Sequence, residues 1–195
     1  MKYLFVLIFL IFFIVFDKSI GYTNVSPLWT HFTYMFQHAN LIHLVINSLA
    51  FIGMFRVLEK EFNKYKLAAS IFIIGFAVSF LSAHELPTVG VSGVIYAMVG
   101  IYLAMILIKR IIVKDRNKLY IFIVSIILCL TVSFFNPNSN YGLHFLCLVL
   151  SFSIFVWIEI FKPKKDFIMI DERCIPKGIE PSEYVKEIIN INNKN

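Results

Sequence analysis

Charge is what this sequence has least of: Asp, Glu, Lys and Arg make up 15% of its 195 residues, where about 25% is usual for a soluble domain. With 59% apolar residues, 21 phenylalanines and a mean hydropathy of +0.79, that scarcity excludes an ordinary soluble domain and points to a membrane. Cysteine is also sparse. Cys129 and Cys147 fall in apolar stretches and Cys174 in a polar tail, without a CxxC pair or metal spacing, so neither a disulfide framework nor a zinc site is expected. The cations that are present, 18 Lys and Arg against 12 Asp and Glu, lie between apolar runs and report topology rather than a nucleic-acid partner. No nucleic acid, metal or cofactor is expected.

Six apolar runs approach spanning length: Tyr3 to Phe16, His38 to Phe55, Leu67 to Leu81, Val91 to Ile108, Leu119 to Phe135 and Gly142 to Phe161. The sequence therefore predicts an all-α, polytopic six-helix bundle over residues 1–165, with a short polar tail over 166–195 that reads as a loop and one amphipathic helix. The first run also looks like a signal peptide, but "VFDKSIGY" offers no A-x-A-like cleavage site, so it is read as a span. The positive-inside rule orients the map. Arg56, Lys60, Lys64 and Lys66, then Lys109, Arg110, Lys114, Arg116 and Lys118, then Lys162, Lys164 and Lys165 fall on the side of Lys2, whereas the opposite connections hold only Lys18. Both termini are expected in the cytoplasm. A short chain with no added soluble domain fits a bacterial plasma membrane.

Polar groups inside a span are costly, so each is a functional hypothesis to be weighed against a packing role. Ser92, in "VGVSGVIYAMVG", could simply bond back to its own helix. Its setting points elsewhere: Pro87 and Gly90 break the chain before it and Gly93 follows, leaving a thin backbone at a helix N-terminus whose free N–H groups suit a developing oxyanion. A serine nucleophile needs a base, most often histidine. His144 is the candidate, its alternative being a buried histidine bonded to a neighbouring helix. Cys147 and Ser151 follow it on one helical face, and Gly93, Ala97 and Gly100 form a matching small stripe; two such faces let helix backbones approach closely. Tyr96, one turn after Ser92, could pack on the imidazole.

In "FQHANLIHLVIN", His43 and Asn47 stand four apart on one helical face, where both can donate hydrogen bonds to an oxyanion. His38 and His43, five apart, sit on different faces with no HExxH or carboxylate partner, which disfavours a metal or haem site. His38 is read as a supporting group, and His31 and His84 as solvated surface residues. At 1.5 Å per residue, Ser92 to Ile108 covers about 25 Å and His144 to Phe161 about 27 Å of a roughly 30 Å core. Both groups therefore sit just below the outer surface.

These residues resemble the rhomboid family. "GVSG" at Gly90 to Gly93 is similar to the rhomboid GxSG motif, "HANLIHLVIN" to the second-helix motif with paired histidines and an asparagine, and His144 to the histidine heading the last helix. The likeness runs from about Trp29 to Phe161 and includes Glu59, which resembles a structural glutamate after the second helix. It implies an intramembrane serine protease with a Ser92–His144 dyad, no acidic third member, and an oxyanion site of His43, Asn47 and the Ser92 backbone. Its substrates would be single-span membrane proteins cut near their outer ends, amid membrane lipids. The chain departs from the family at Cys147 and Ser151, where glycines are usual, and at Thr30, where an arginine often follows the tryptophan. Two other classes compete: a catalytically silent rhomboid-like client-binding protein, disfavoured because Ser92 and His144 are both present, and a small transporter, for which charges within the spans would be expected.

Overall fold

The computed structural model describes residues 1–82, 84–108 and 116–161. The expected tail at 166–195 lies outside the described residues, as do Lys109, Arg110, Lys114, Lys162, Lys164, Lys165 and Cys174. Seven helices are described: α1 (Lys2–Val15), α2 (Thr30–Thr33), α3 (Leu41–Leu58), α4 (Lys64–Ser79), α5 (Ser92–Leu107), α6 (Arg116–Phe135) and α7 (Tyr141–Phe161). Among the described residues the only β pairing is one antiparallel bridge between Tyr22 and Thr88. The chain is thus all-α, and α3, α7 and the Asn117–Phe135 stretch of α6 are each long and apolar enough to cross a bilayer, with α1 and α5 shorter apolar helices.

Capping explains where the helices depart from the expected runs. α3 starts at Leu41 rather than His38 because Asn40 takes an extended conformation and its Oδ1 accepts the His43 N–H at 2.8 Å. It continues to Leu58 because Arg56 points outward while Phe55 and Leu58 stay buried. α4 starts at Lys64 rather than Leu67, the Asn63 side chain accepting the Tyr65 and Lys66 N–H groups at 3.0 and 3.3 Å. The four-residue α2 was not expected; it is too short to show a helical period.

Phenylalanine rings hold α1 in place. Phe5 stacks on Phe72 at 4.8 Å, and fully buried Phe9 meets Phe51 edge-on at 5.5 Å. An ion pair between Lys2 and Glu59 joins the start of α1 to the end of α3. The segment between these helices is fixed by short-range polar contacts: Thr30 Oγ1 donates to Pro27 O at 2.6 Å, Thr33 Oγ1 to Ile20 O at 2.9 Å, and Gln37 Nε2 to the carbonyls of Phe16 and Asp17. These bonds anchor the connection that contains Thr30.

α5 is the central helix, with Gly93, Val94, Ala97, Met98, Gly100, Ile101, Ala104 and Met105 buried. Its most extensive packing is against α7. A Cβ at Gly93 would lie 3.2 Å from Leu143 and 3.4 Å from Cys147 Sγ, and one at Gly100 would overlap Ser151 Oγ and the Leu148 carbonyl. Cys147 and Ser151, buried in this seam, are therefore small enough to let the two backbones meet. α6 lies at the periphery, most of its surface exposed.

At the Ser92 end of the bundle one asparagine ties three segments together. The Asn140 amide nitrogen faces Tyr22 Oη at 2.9 Å, Ser82 O at 3.0 Å and Thr88 Oγ1 at 3.1 Å, while its Oδ1 accepts the Leu143 N–H at 3.0 Å and so caps α7. Tyr22 Oη also lies 2.8 Å from Ser82 Oγ. Burial pushes the Tyr22 phenol up to about 12, so the network is neutral at ordinary pH.

Two outcomes follow from this packing. Gly100→Leu should cost about 1–3 kcal/mol or more by forcing α5 and α7 apart, whereas Gly53→Ala, whose Cβ meets nothing within 4 Å, should be neutral or stabilise by up to ~1 kcal/mol; denaturation in detergent or bicelles compares them. Because the Tyr22 phenol ionises later when folded than when unfolded, its contribution is complete below pH 10 and is lost as pH rises towards 12, on the order of 2–3 kcal/mol. Tyr22→Phe should flatten that alkaline limb of the stability profile.

Candidate active site

The backbone before α5 is bent to deliver Ser92. Gly90 has φ +119°, a conformation costly for any residue with a Cβ, and its N–H donates to Tyr34 O at 2.8 Å. Val91 then caps α5 and Ser92 becomes its first residue, so the N–H groups around it have no acceptor within the helix. Ser92 Oγ lies 2.7 Å from His144 Nε2. His144 sits in the first turn of α7, its N–H donating to the carbonyl of the capping Asn140 at 3.3 Å. Tyr96 stacks on the imidazole, ring centres 4.7 Å apart and planes 28° apart. The other ring nitrogen, Nδ1, lies 2.8 Å from Ser133 Oγ, which in turn lies 2.6 Å from Ser139 Oγ.

His43 and Asn47 lie on the face of α3 turned to the same place. The Asn47 amide donates to His43 Nε2 at 2.9 Å, and both groups press on Gly90: a Cβ there would come 2.7 Å from His43 Cε1 and 3.3 Å from Asn47 Nδ2. Gly90 is thus required twice, by its conformation and by the approach of the α3 pair. His38, 1% exposed, packs its ring against His43 at 5.4 Å and Phe9 at 5.6 Å, with no hydrogen-bond partner for either ring nitrogen among the described residues.

Two cavities meet at Ser92. One, of about 800 Å³, is mixed in character and is lined by His43, His144, Lys18 and the polar residues Asn136 to Asn140 apart from Pro137. The other, of about 580 Å³, is nearly all apolar and runs between α3, α5 and α6 from Asn47 and Ser92 to Tyr102 and Leu119. A hydroxyl beside an imidazole, with an amide on the facing helix and both a polar and an apolar cavity opening onto it, is an arrangement chemically suited to nucleophilic attack on a carbonyl. Among the described residues no three His, Cys, Asp or Glu side chains are grouped so as to hold a metal ion.

The remaining histidines divide. His84 has Nδ1 2.9 Å from Leu86 O at the surface. His31, expected to be solvated, is instead half-buried: its ring stacks on Phe80 at 4.2 Å and Tyr22 at 4.8 Å, with Nδ1 2.8 Å from Ser79 Oγ. Burial lowers its proton affinity, so the ring is neutral and serves as packing. Ser133, Ser139 and Asn140 were not singled out from sequence. Ser133 could have been, as a polar side chain inside an apolar run; Asn140 carried the weaker signal of a capping residue four positions before His144.

The sequence model of the rhomboid domain family matches residues 25–159. The chain is 27% identical over 143 residues to "Rhomboid-like protease 2" of Toxoplasma gondii, covering 70% of this chain and 50% of that one. It is 28% identical over 131 residues to "Putative rhomboid protease YdcA" of Bacillus subtilis (strain 168), covering 65% and 64%. It is 31% identical over 112 residues to "Putative rhomboid protein L523" of Acanthamoeba polyphaga mimivirus, covering 53% and 65%. The chain spans half to just under two thirds of the length of these relatives. With its family domain matched across most of the apolar helices, this multi-pass membrane protein belongs to the rhomboid family.

Proposed function

We propose that the protein is an intramembrane serine endopeptidase that hydrolyses a peptide bond of single-span membrane proteins near the outer face. The observation that carries the reading is the 2.7 Å contact between Ser92 Oγ and His144 Nε2 under the Tyr96 ring. Ser92 attacks the carbonyl carbon while Nε2 takes its proton; the imidazolium then passes that proton to the leaving amine, and water hydrolyses the acyl-enzyme with His144 again as base. The Asn47 amide, the His43 ring N–H in its other tautomer and the Ser92 backbone N–H stabilise the tetrahedral oxyanion, the anion replacing His43 as acceptor for the amide. Gly90 and Gly93 keep the backbone thin beside the reacting atoms, and His38 supports the His43 ring from behind.

The two cavities divide the work. An apolar substrate segment occupies the groove between α3, α5 and α6, where lipid would otherwise lie, and water reaches Ser92 through the mixed cavity at the end of the bundle. We assign residues 1–165 to a six-span membrane domain made by α1 and α3 to α7, and residues 166–195 to a cytoplasmic tail. Helices of 14 and 16 residues for α1 and α5 suit a bundle in which neighbours and the outer segments shield the shorter members. The asymmetry of Lys and Arg supports a cytoplasmic side for both termini, and the likeness to a Bacillus subtilis relative favours a bacterial plasma membrane.

Ser92→Ala and His144→Ala should each lower cleavage of a single-span reporter by roughly 10³-fold or more, and Asn47→Ala by roughly 10²-fold, with the variants still folded in the membrane. A fluorophosphonate should label the wild type and not Ser92→Ala. A folded wild type that neither cleaves nor labels would favour the catalytically silent, client-binding alternative; full cleavage by either dyad variant would remove the dyad.

A further inference from the structure

α6 contains three Ser or Thr side chains in its apolar stretch, and one behaves differently from the rest. Ser125 and Thr131 donate to the Ile121 and Ile127 carbonyls of their own helix, both at 2.8 Å, the usual fate of such groups in a membrane helix. Ser133, 7% exposed, is turned instead toward His144 Nδ1 at 2.8 Å and Ser139 Oγ at 2.6 Å. Ser139 is fixed in the turn after α6, its N–H donating to Asn136 O at 2.9 Å.

A neutral imidazole has one N–H and one lone pair. For Nε2 to accept the Ser92 proton, the ring hydrogen must sit on Nδ1, and that N–H then needs an acceptor. Ser133 Oγ is in position to accept it and to pass its own hydrogen to Ser139 Oγ, giving one consistent direction of donation from Ser92 through His144 and Ser133 to Ser139. We propose that Ser133 is a positioning residue which, supported by Ser139, holds His144 in the tautomer and rotation that let it act as base. The inference rests on the Ser92–His144 reading. It assigns to a neutral hydroxyl on α6 the orienting part that an acidic third member plays in other serine hydrolases. Without that acceptor, the ring can place its hydrogen on Nε2, where it points at Ser92 and cannot take the serine proton.

The test uses the full chain in proteoliposomes with a single-span reporter, comparing Ser133→Ala and Ser133→Thr with Ser92→Ala and His144→Ala. Ser133→Ala should lower kcat roughly tenfold or more while KM stays within about twofold, and slow fluorophosphonate labelling in parallel. Ser133→Thr, which keeps the hydroxyl, should recover most of the rate. In a His144→Ala background, Ser133→Ala should change nothing further, because a residue acting through the imidazole has nothing left to position. A kcat within twofold of wild type in Ser133→Ala, or a threonine variant no better than alanine, overturns the inference while leaving the dyad intact. Undiminished cleavage by Ser92→Ala takes down the dyad and this inference together.

Discussion

Two helices running in the same direction, α5 and α7, approach so closely that a methyl group at Gly100 would overlap the partner backbone, and the geometry of the candidate site descends from that contact. Lipid tails are as apolar as leucine, so helices in a bilayer gain little from burying hydrocarbon; close packing of small residues replaces that drive. Gly93 against Leu143 and Cys147, and Gly100 against Leu148, Ser151 and Phe152, set both the separation and the register of the pair. With the register fixed, the residues just beyond the seam have no choice of partner. Ser92 precedes Gly93 and His144 follows Leu143, so the hydroxyl and the imidazole meet where the seam ends.

The seam sets the pair, but the connecting segments set its angle. Gly90 is held by Tyr34 O, Thr88 pairs with Tyr22, and Asn140 links Thr88 and Tyr22 to the start of α7. The strand-like residues leading to Ser92 and the cap leading to His144 are therefore pinned to the same tyrosine. This matters in a membrane protein because the ends of helices carry unpaired backbone groups that hydrocarbon cannot satisfy. At α7 a side chain does so, Asn140 Oδ1 accepting the Leu143 N–H, whereas before α5 it is a backbone carbonyl, Tyr34 O, that holds the Gly90 N–H, and the N–H groups around Ser92 are left open.

What could be read from the sequence was what depends on local period. The apolar runs anticipated α1 and α3 to α7, and the spacing of Gly93, Ala97 and Gly100 against Cys147 and Ser151 anticipated the seam, since a helix face repeats every three or four residues. Contacts made by loops have no such period. Tyr22 and Asn140 are separated by 118 positions, and nothing in either neighbourhood announces the other. His31 was misjudged for a related reason: a histidine in a connection looks solvated until the rings of Tyr22 and Phe80 close on it. Ser133 was legible by the rule that drew attention to Ser92, a polar group in a span, but only the fold tells it apart from Ser125 and Thr131, which spend their hydroxyls on their own helix.

On the proposed reading, that distinction would let a base be oriented inside a bilayer without an acid. A carboxylate beside the imidazole would hold the same tautomer more firmly, yet removing it from water costs several kcal/mol before any partner is found. A serine hydroxyl is neutral, costs far less to bury, and can accept from His144 while donating to Ser139. The weaker acceptor gives less help to an imidazolium, so the remaining stabilisation has to come from the surroundings. The Tyr96 ring face at 4.7 Å would supply part of it, since the electron-rich face of an aromatic ring attracts a cation. In that proposal two neutral contacts, the Ser133 hydroxyl at Nδ1 and the Tyr96 ring across the imidazole face, would stand in place of a charged third group in turning the ring toward Ser92.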